Sequence, residues 1–542
     1  MNGSNNAQPP LKIEDLTIRY IRRNEPSLKN VSLTLQAGQV MLVAGSSGSG
    51  KTTLMRAVNG LIPRTYRAEI SGLVCIFGQP VSALEMPELS QMVGTLLQDP
   101  ERQIVGSHVQ NEVAFGLENL GLPRNEIFER TDKVLDYLGI LHLRDRETFQ
   151  LSGGEKQKVA LAGVLAMRPK ILLLDEPLAS LDPASAREAL DLFRRLADDG
   201  IAVMLVEHRV EDVLTIHPEQ VIYLDEGEVV YSGDSLGVMN VVDFSRIKLP
   251  APVILERARR EDRIADDLET ALPARNHTRL IEFRDVSFSY KADLPEILHD
   301  IDFQVCRGDV IAVLGHNGAG KTTLVKHALG LLKPTRGNVL LEGRDTRSIT
   351  VAQAAHTVGY VFQSPTQMLF AQTVEEELAF GPKNLGHRPN EIDHDVQWAI
   401  RTVNLEAELK TPPLALSFGQ QKRISIAAVL AMRSRILMMD EPTAGQDYWN
   451  YKAFMDAILQ MPGFDAILFI THDVDLAVIY ANRVILMNDG RIMADGTPQE
   501  VLSQKELLRA SRVLPTSLLD LNLEHFPQTG RFLRAEALAR YA

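Results

Sequence analysis

The stretch Gly45-Ser46-Ser47-Gly48-Ser49-Gly50-Lys51-Thr52-Thr53 follows the apolar run Val40-Met41-Leu42-Val43-Ala44. The chain repeats the arrangement as Gly315-His316-Asn317-Gly318-Ala319-Gly320-Lys321-Thr322-Thr323, after Val310-Ile311-Ala312-Val313-Leu314. Strand, glycine-rich loop and helix in that order form a cradle for nucleotide phosphates. The glycines let successive N–H groups turn inward, and the following helix adds its positive end. Lys51 and Lys321 are then placed to reach β- and γ-phosphates, with Thr52 and Thr322 as Mg²⁺ ligands. One such match can be a glycine-rich turn beside a surface lysine; two in equivalent contexts point to ATP and Mg²⁺ as cofactors.

Outward from the cradles, the chain reads as one long unit used twice. Tyr20 and Tyr290, like Gly45 and Gly315, lie 270 residues apart, whereas Gln98 and Gln363, Ser152 and Ser417, and Asp175 and Asp440 lie 265 apart. A near-constant offset over this length means tandem homologous domains. The offset changes between the cradle and the glutamine, and the extra residues fit the Pro63–Arg67 region, where a loop tolerates insertion. Short continuous apolar runs such as Ile171-Leu172-Leu173-Leu174 and Ile436-Leu437-Met438-Met439 suit strands covered on both faces of a parallel α/β sheet. The opening of each half, from Leu11 and from Leu280, alternates instead and predicts a smaller antiparallel sheet.

The expected domains are a loose tail over 1–10, a first domain over 11–243, a linker over 244–279, a second domain over 280–499 and a helical extension over 500–542. Phe244 to Leu280 carries eight basic and six acidic residues and three prolines, a mixed-charge linker with helix expected over Val253 to Leu268.

A net charge of -13 over 542 residues has the wrong sign for a broad polyanion-binding face. The two cysteines, Cys75 and Cys306, are far apart in apolar surroundings, which argues against a disulfide framework or a cysteine-ligated metal. No stretch approaches the ~20 consecutive apolar residues of a membrane span. A soluble or peripheral protein on the cytosolic side is expected.

The continuous runs Ile171–Leu174 and Ile436–Met439 each lead into an acidic pair, Asp175-Glu176-Pro177 and Asp440-Glu441-Pro442. Carboxylates at the carboxyl end of such a strand stand where open α/β sheets bind ligands. Asp175 and Asp440 are candidates to hold Mg²⁺ through water, and Glu176 and Glu441 to orient or deprotonate the attacking water. Ser152-Gly153-Gly154-Glu155 and Ser417-Phe418-Gly419-Gln420 precede helical patterns; a serine cap with glycine is either an ordinary N-cap or a second anion site. A histidine at a strand end is commonly a satisfied polar residue, but the recurrence of His208 and His472 in register favours a γ-phosphate contact. Tyr20 and Tyr290 end strands and either pack there or stack on adenine.

Taken together, aromatic, cradle, glutamine, Leu-Ser-x-Gly, Asp-Glu-Pro and histidine resemble the nucleotide-binding domain of ABC ATPases, over Leu11–Gly233 and again over Leu280–Gly496. The resemblance implies two P-loop NTPase domains in tandem, each a mainly parallel sheet with an antiparallel β subdomain and a helical subdomain. It also implies head-to-tail pairing of the halves, and catalytic and Mg²⁺-binding roles for Gln98 and Gln363. The segments after those glutamines, Asp99-Pro100-Glu101-Arg102-Gln103 to Gly116 and Ser364-Pro365 to Gly381, resemble the ATPases of energy-coupling factor (ECF) importers for vitamins and transition metals. That likeness implies an integral membrane coupling subunit and a substrate-binding membrane subunit as partners, and a peripheral position on the cytoplasmic side of the cell membrane. Met368 where the first half has Gln103, Phe418 in place of a glycine, and Gln446 are departures; Phe418 is expected in an ordinary conformation.

Two other readings compete. A soluble tandem ATPase acting on ribosomes should carry a long basic arm between its halves, and one acting on DNA should show zinc-binding cysteines or a coiled coil; neither is present in the sequence. A tandem sugar-importer ATPase shares the chemistry, and only the post-glutamine segments argue against it.

Overall fold

The computed structural model describes residues 8–21, 23–179, 181–266, 270–291, 293–443, 446 and 448–541. The chain divides into two compact units, the first mainly Met1–Leu181 and Ser185–Leu249, the second mainly Pro250–Gln446 and Asn450–Ala542.

In the first unit ten strands form two sheets. They are β1 (Leu11–Tyr20), β2 (Leu28–Leu35), β3 (Val40–Gly45), β4 (Ala68–Ile76), β5 (Gln79–Pro80), β6 (Val93–Leu96), β7 (Ile171–Asp175), β8 (Ala202–Val206), β9 (Gln220–Asp225) and β10 (Glu228–Gly233). One sheet runs β2-β1-β4-β5 and is antiparallel; the other runs β10-β9-β3-β8-β7-β6, parallel except at its β9–β10 edge. Every residue of β3 is buried, as a central strand flanked by parallel neighbours requires, whereas β1 alternates buried and exposed positions. One apolar core joins the inner faces of both sheets, from Leu11, Ile13 and Leu16 to Leu173 and Met204. Each such fully buried leucine contributes about 1.5–3 kcal/mol against exposure.

The second unit repeats the plan. Its strands are β11 (Arg279–Phe288), β12 (Leu298–Cys306), β13 (Val310–Leu314), β14 (Arg336–Leu341), β15 (Arg344–Asp345), β16 (Val358–Val361), β17 (Ile436–Asp440), β18 (Ala466–Thr471), β19 (Arg483–Asn488) and β20 (Arg491–Gly496). The sheets are β12-β11-β14-β15 and β16-β17-β18-β13-β19-β20. In each half three helices form the layer beside the sheet edge: Val109–Asn119 and Arg124–Tyr137 pack on Gly153–Ala166, and Val374–Asn384 and Pro389–Thr402 pack on Phe418–Ala431.

The segment expected as a linker behaves differently from a tether. From Pro250 onward it belongs to the second unit. Its helix spans Ala251–Arg260, shorter than expected, because the chain turns at Glu261 and Asp262, the latter with φ 52°; Leu268 lies outside the described residues. This helix packs on two helices of the carboxyl extension, Ser517–Thr529 and Ala535–Leu538. Ala251 N donates to Ser517 Oγ at 2.8 Å, and Ile254 and Ala258 are buried there. The extension is in turn held by buried Asn522, whose side chain donates to Leu518 O and Leu533 O at 2.9 Å each and accepts from Leu533 N at 2.6 Å. It also packs on the helix Val474–Tyr480, where Thr516 hydrogen-bonds Asp475.

Candidate functional site

The site of the first half forms where β3 and β7 deliver their carboxyl ends. After Gly45 the backbone folds over itself, with Ser49 N donating to Ser46 O at 3.2 Å. Gly50 sits at the helix start with φ 106°, and a Cβ there would lie 2.6 Å from Ser27 O, so the close approach demands glycine. Lys51 opens the helix Lys51–Val58 and is nearly buried; its ammonium donates to Gly45 O at 2.9 Å and Ser46 O at 2.8 Å, held inside the loop. In the second half Lys321 donates to Gly315 O at 2.7 Å and His316 O at 2.9 Å, and burial lowers its pKa. Ser46 Oγ reaches Asp225 Oδ1 at 3.4 Å on the neighbouring strand.

Beyond β7, Glu176 has φ 45°, and beyond β17, Glu441 has φ 43°. Such values are strained for a residue with a side chain. They persist because the amides stay in the ladder: Glu176 N donates to Val206 O at 2.9 Å and Glu441 N to Ile470 O at 3.0 Å. The turn aims Glu176 at two groups. Gln98 Nε2 donates to Glu176 Oε2 at 2.6 Å, and His208 Nε2 lies 2.7 Å from Oε1. Glu441 meets His472 instead through Nδ1, at 2.9 Å, while Gln363 is exposed. Burial opposes ionisation of Glu441, but His472 and Lys321 outweigh it and hold the carboxyl below its ordinary range.

The preceding aspartates are tuned the other way. Burial and the adjacent Glu176 charge push Asp175 up to about 6. Burial also raises Asp440, although Tyr360 and Thr322 hydroxyls donate to its Oδ2 at 2.9 and 3.0 Å. Thr322 and Asp440, both named as Mg²⁺ candidates, thus meet in one hydrogen bond. Tyr360 was not foreseen: the first half has Thr95 at the equivalent position of β6.

Tyr20 and Tyr290 each turn the hydroxyl onto the cradle helix, 3.2 Å from Thr53 Oγ1 and 3.4 Å from Thr323 Oγ1. Tyr20 also packs against the core, and Tyr290 meets Phe288 edge-on at 5.0 Å, leaving about half its surface exposed. Tyr20 is thus a packing residue, whereas half of Tyr290 stays open to solvent.

Ser152 and Ser417 are N-caps of fourteen-residue helices with reciprocal capping: Ser152 N donates to Glu155 Oε2 at 2.8 Å, and Ser417 N to Gln420 Oε1 at 3.0 Å. Gly153 and Gly419 have open space where a side chain would stand. Phe418 begins its helix in ordinary helical geometry and is 40% exposed, so it does not block the serine by backbone strain. Two further residues tie these helices to the acidic turn. Gln157 Nε2 donates to Pro177 O at 2.6 Å and Lys422 Nζ to Pro442 O at 2.5 Å, equivalent positions with different chemistry.

The segments after the glutamines are pinned by buried glutamates. Glu112 Oε2 accepts from Val105 N at 2.8 Å and Gly106 N at 2.6 Å; Glu377 Oε2 accepts from Phe370 N at 2.9 Å and Ala371 N at 2.8 Å. Gln103 adds a second clasp, accepting from Leu97 N at 2.9 Å and donating to Thr95 O at 3.1 Å, which Met368 has no polar atoms to copy. Around them lie exposed apolar side chains: Val105, Phe115 and Phe149 in the first half, and Phe370 edge-on to Phe380 at 4.8 Å in the second. Ser180, Ala444, Gly445 and Asp447 lie outside the described residues.

Two glycine-rich phosphate cradles at strand ends, each with a lysine, an aspartate–glutamate pair and a histidine, define a tandem P-loop ATPase. A family model described as ABC transporter matches residues 28–179 and 298–444. The chain is 35% identical over 541 residues to a "Putative ABC transporter ATP-binding protein" of Clostridium perfringens, covering 95% of each. It is also 35% identical over 554 residues to a protein of the same description from Methanosarcina acetivorans, covering 95% of this chain and 90% of that one. Among solved structures, cbiO1 of Clostridium perfringens, described as part of the ABC transporter complex cbiONQ, is 32% identical, with 47% of this chain and 98% of that chain covered and a TM-score of 0.40. The chain belongs to the ABC transporter ATP-binding family and is an ATPase carrying two nucleotide-binding domains.

Proposed function

We propose that this chain is the motor of an importer of the energy-coupling factor type, driving uptake of a vitamin-like or metal substrate through separate membrane subunits. The observation that carries the reading is the connection within the first half between the reaction site and an apolar surface. Gln98 bonds Glu176, and a few residues further on the backbone is clasped by Gln103 and Glu112 beside exposed Val105, Phe115 and Phe149. A displacement of Gln98 on nucleotide binding is thereby passed to a surface suited to an apolar helix. Exposed apolar clusters of this kind mark interaction sites. No helix among the described residues is long and apolar enough to cross a membrane. On this reading separate membrane subunits carry the substrate, and this chain is peripheral to them on the cytoplasmic side.

ATP phosphates entering either cradle replace the loop carbonyls as partners of Lys51 or Lys321. Glu176 and Glu441 orient the water that attacks the γ-phosphorus, the bond to ADP breaks, and His208 and His472 contact the γ-phosphate oxygens. The hydroxyl and carboxylate oxygens of Thr322 and Asp440, 3.0 Å apart, are the hard donors that suit Mg²⁺ borne in on phosphates. Thr52, Asp175 and the two glutamines are assigned the same duty. Bound there, Mg²⁺ supplies charge neutralisation for the β- and γ-oxygens. The serine-capped helix starts at Ser152 and Ser417 serve as second anion sites.

The test is isolation of the intact chain from membranes of its own cells with identification of co-eluting proteins. Stoichiometric recovery of integral membrane subunits is expected. Recovery with ribosomes or nucleic acid and no membrane protein overturns the reading.

A further inference from the structure

The first half contains a buried glutamate that the second lacks. Glu207 lies between β8 and His208 and is 2% exposed; Thr471 holds the equivalent position. Its Oε1 accepts from Leu178 N at 2.7 Å, and its Oε2 accepts from His208 N at 2.9 Å and Arg209 N at 3.3 Å. Arg209 grips the same loop from its other polar side, Nη1 donating to Leu178 O at 3.2 Å and Leu181 O at 3.4 Å, while its Nε is held by Asp212 at 2.6 Å. Both backbone groups of Leu178, two residues after Glu176, are therefore taken by side chains flanking His208. In the second half Thr471 Oγ1 accepts from Asp473 N at 3.0 Å and serves its own turn.

Burying a carboxylate is costly unless hydrogen bonds to its charged form compensate. Burial and the neighbouring Glu176 charge raise the pKa of Glu207 to about 7, against Arg209, the Leu178 amide and His208, which lower it. Thr471 shows that a hydroxyl suffices to finish the strand-end turn. What only the longer acid does is bridge two loops, the one that follows Glu176 and the one that carries His208, whose side chains meet at 2.7 Å.

We infer that Glu207 is a positioning residue for hydrolysis in the first half, locking the Glu176 and His208 loops into one rigid unit. The inference rests on the reading that Glu176 and His208 act on ATP. Misplacement of such groups by about 1 Å is enough to slow the chemical step.

The experiment measures the ATPase turnover that Glu176→Gln removes, in the full chain. In Glu207→Thr, which copies the second half, that Glu176-dependent turnover is expected to fall by roughly three- to tenfold, with KM for ATP within about twofold and melting temperature within a few degrees of the parent. Glu207→Gln, which can accept hydrogen bonds at one end only, is expected to fall between the two. Unchanged turnover in both folded variants overturns the inference, as does a parallel loss of turnover, KM and melting temperature, which is a folding defect alone. Should Glu176→Gln itself leave turnover intact, it is the underlying assignment of Glu176 that fails.

Discussion

Glu176 and Glu441 reach their stations by the same strained backbone, yet each meets a different set of neighbours. The first is shared between Gln98 and His208 Nε2, the second is held by His472 Nδ1 with Lys321 nearby. Each half keeps a glutamate and a histidine in contact at its strand end, so both halves are expected to hydrolyse. Glu176→Gln and Glu441→Gln, made separately, should each lower steady-state ATPase turnover by at least about tenfold if the sites are coupled, or about halve it if they act independently. Abolition by one and no effect from the other would show a single working site. At this scale the cradle, the acidic pairs and the histidines were legible because each is a short motif recurring at a fixed offset. Glu112 recurs as Glu377 at the same 265-residue offset and could have been found by aligning the halves position by position, which also sets Gln157 against Lys422. Glu207 and Tyr360 could not be found so, since each stands in one copy alone and its meaning lies in which backbone atoms it touches.

Among the elements, the helix Phe418–Ala431 buries a charge that its counterpart Gly153–Ala166 avoids. Lys422 is nearly inaccessible, faces Phe418 and Phe454 and donates to Pro442 O; burial lowers its pKa to about 7, with Glu441 the charged group opposing the shift. An unfolded lysine keeps its proton to about 10.4. Between those values the unfolded chain binds the extra proton, so stability of the second half rises with pH from about 7 to about 10 and is flat below. Lys422→Gln, which copies Gln157, should remove that rise, melting higher than the parent near pH 7, with the difference shrinking towards pH 10. Differential scanning calorimetry across this range reads it; parallel pH profiles for parent and variant would contradict the assignment. The parallel and antiparallel sheets were legible because continuous and alternating apolar runs differ in period, and the carboxyl-terminal helices were legible as helices. What covers them was not: an amphipathic stripe states that a face is buried and leaves its partner unnamed, and in Ala251–Arg260 the stripe proved to face residues more than 250 positions away.

For the whole molecule, the seam between the repeated halves and the seam between the folded units are different places. The repeat restarts near Leu280, but the second unit begins at Pro250, whose following helix lies against Ser517–Thr529 and Ala535–Leu538. A fragment of residues 250–542 should therefore express as a soluble, monomeric body with a cooperative melt, whereas one of residues 280–542 should aggregate or lose several degrees, having bared Leu518, Leu538 and their neighbours. Size-exclusion chromatography of the two fragments decides the matter; equal behaviour would make the helix dispensable. In genetic terms, a two-gene version of this protein could not be cut where the homology starts again: its second open reading frame would need some thirty codons of apparent spacer at the front, and the first would end on the strength of its own motifs.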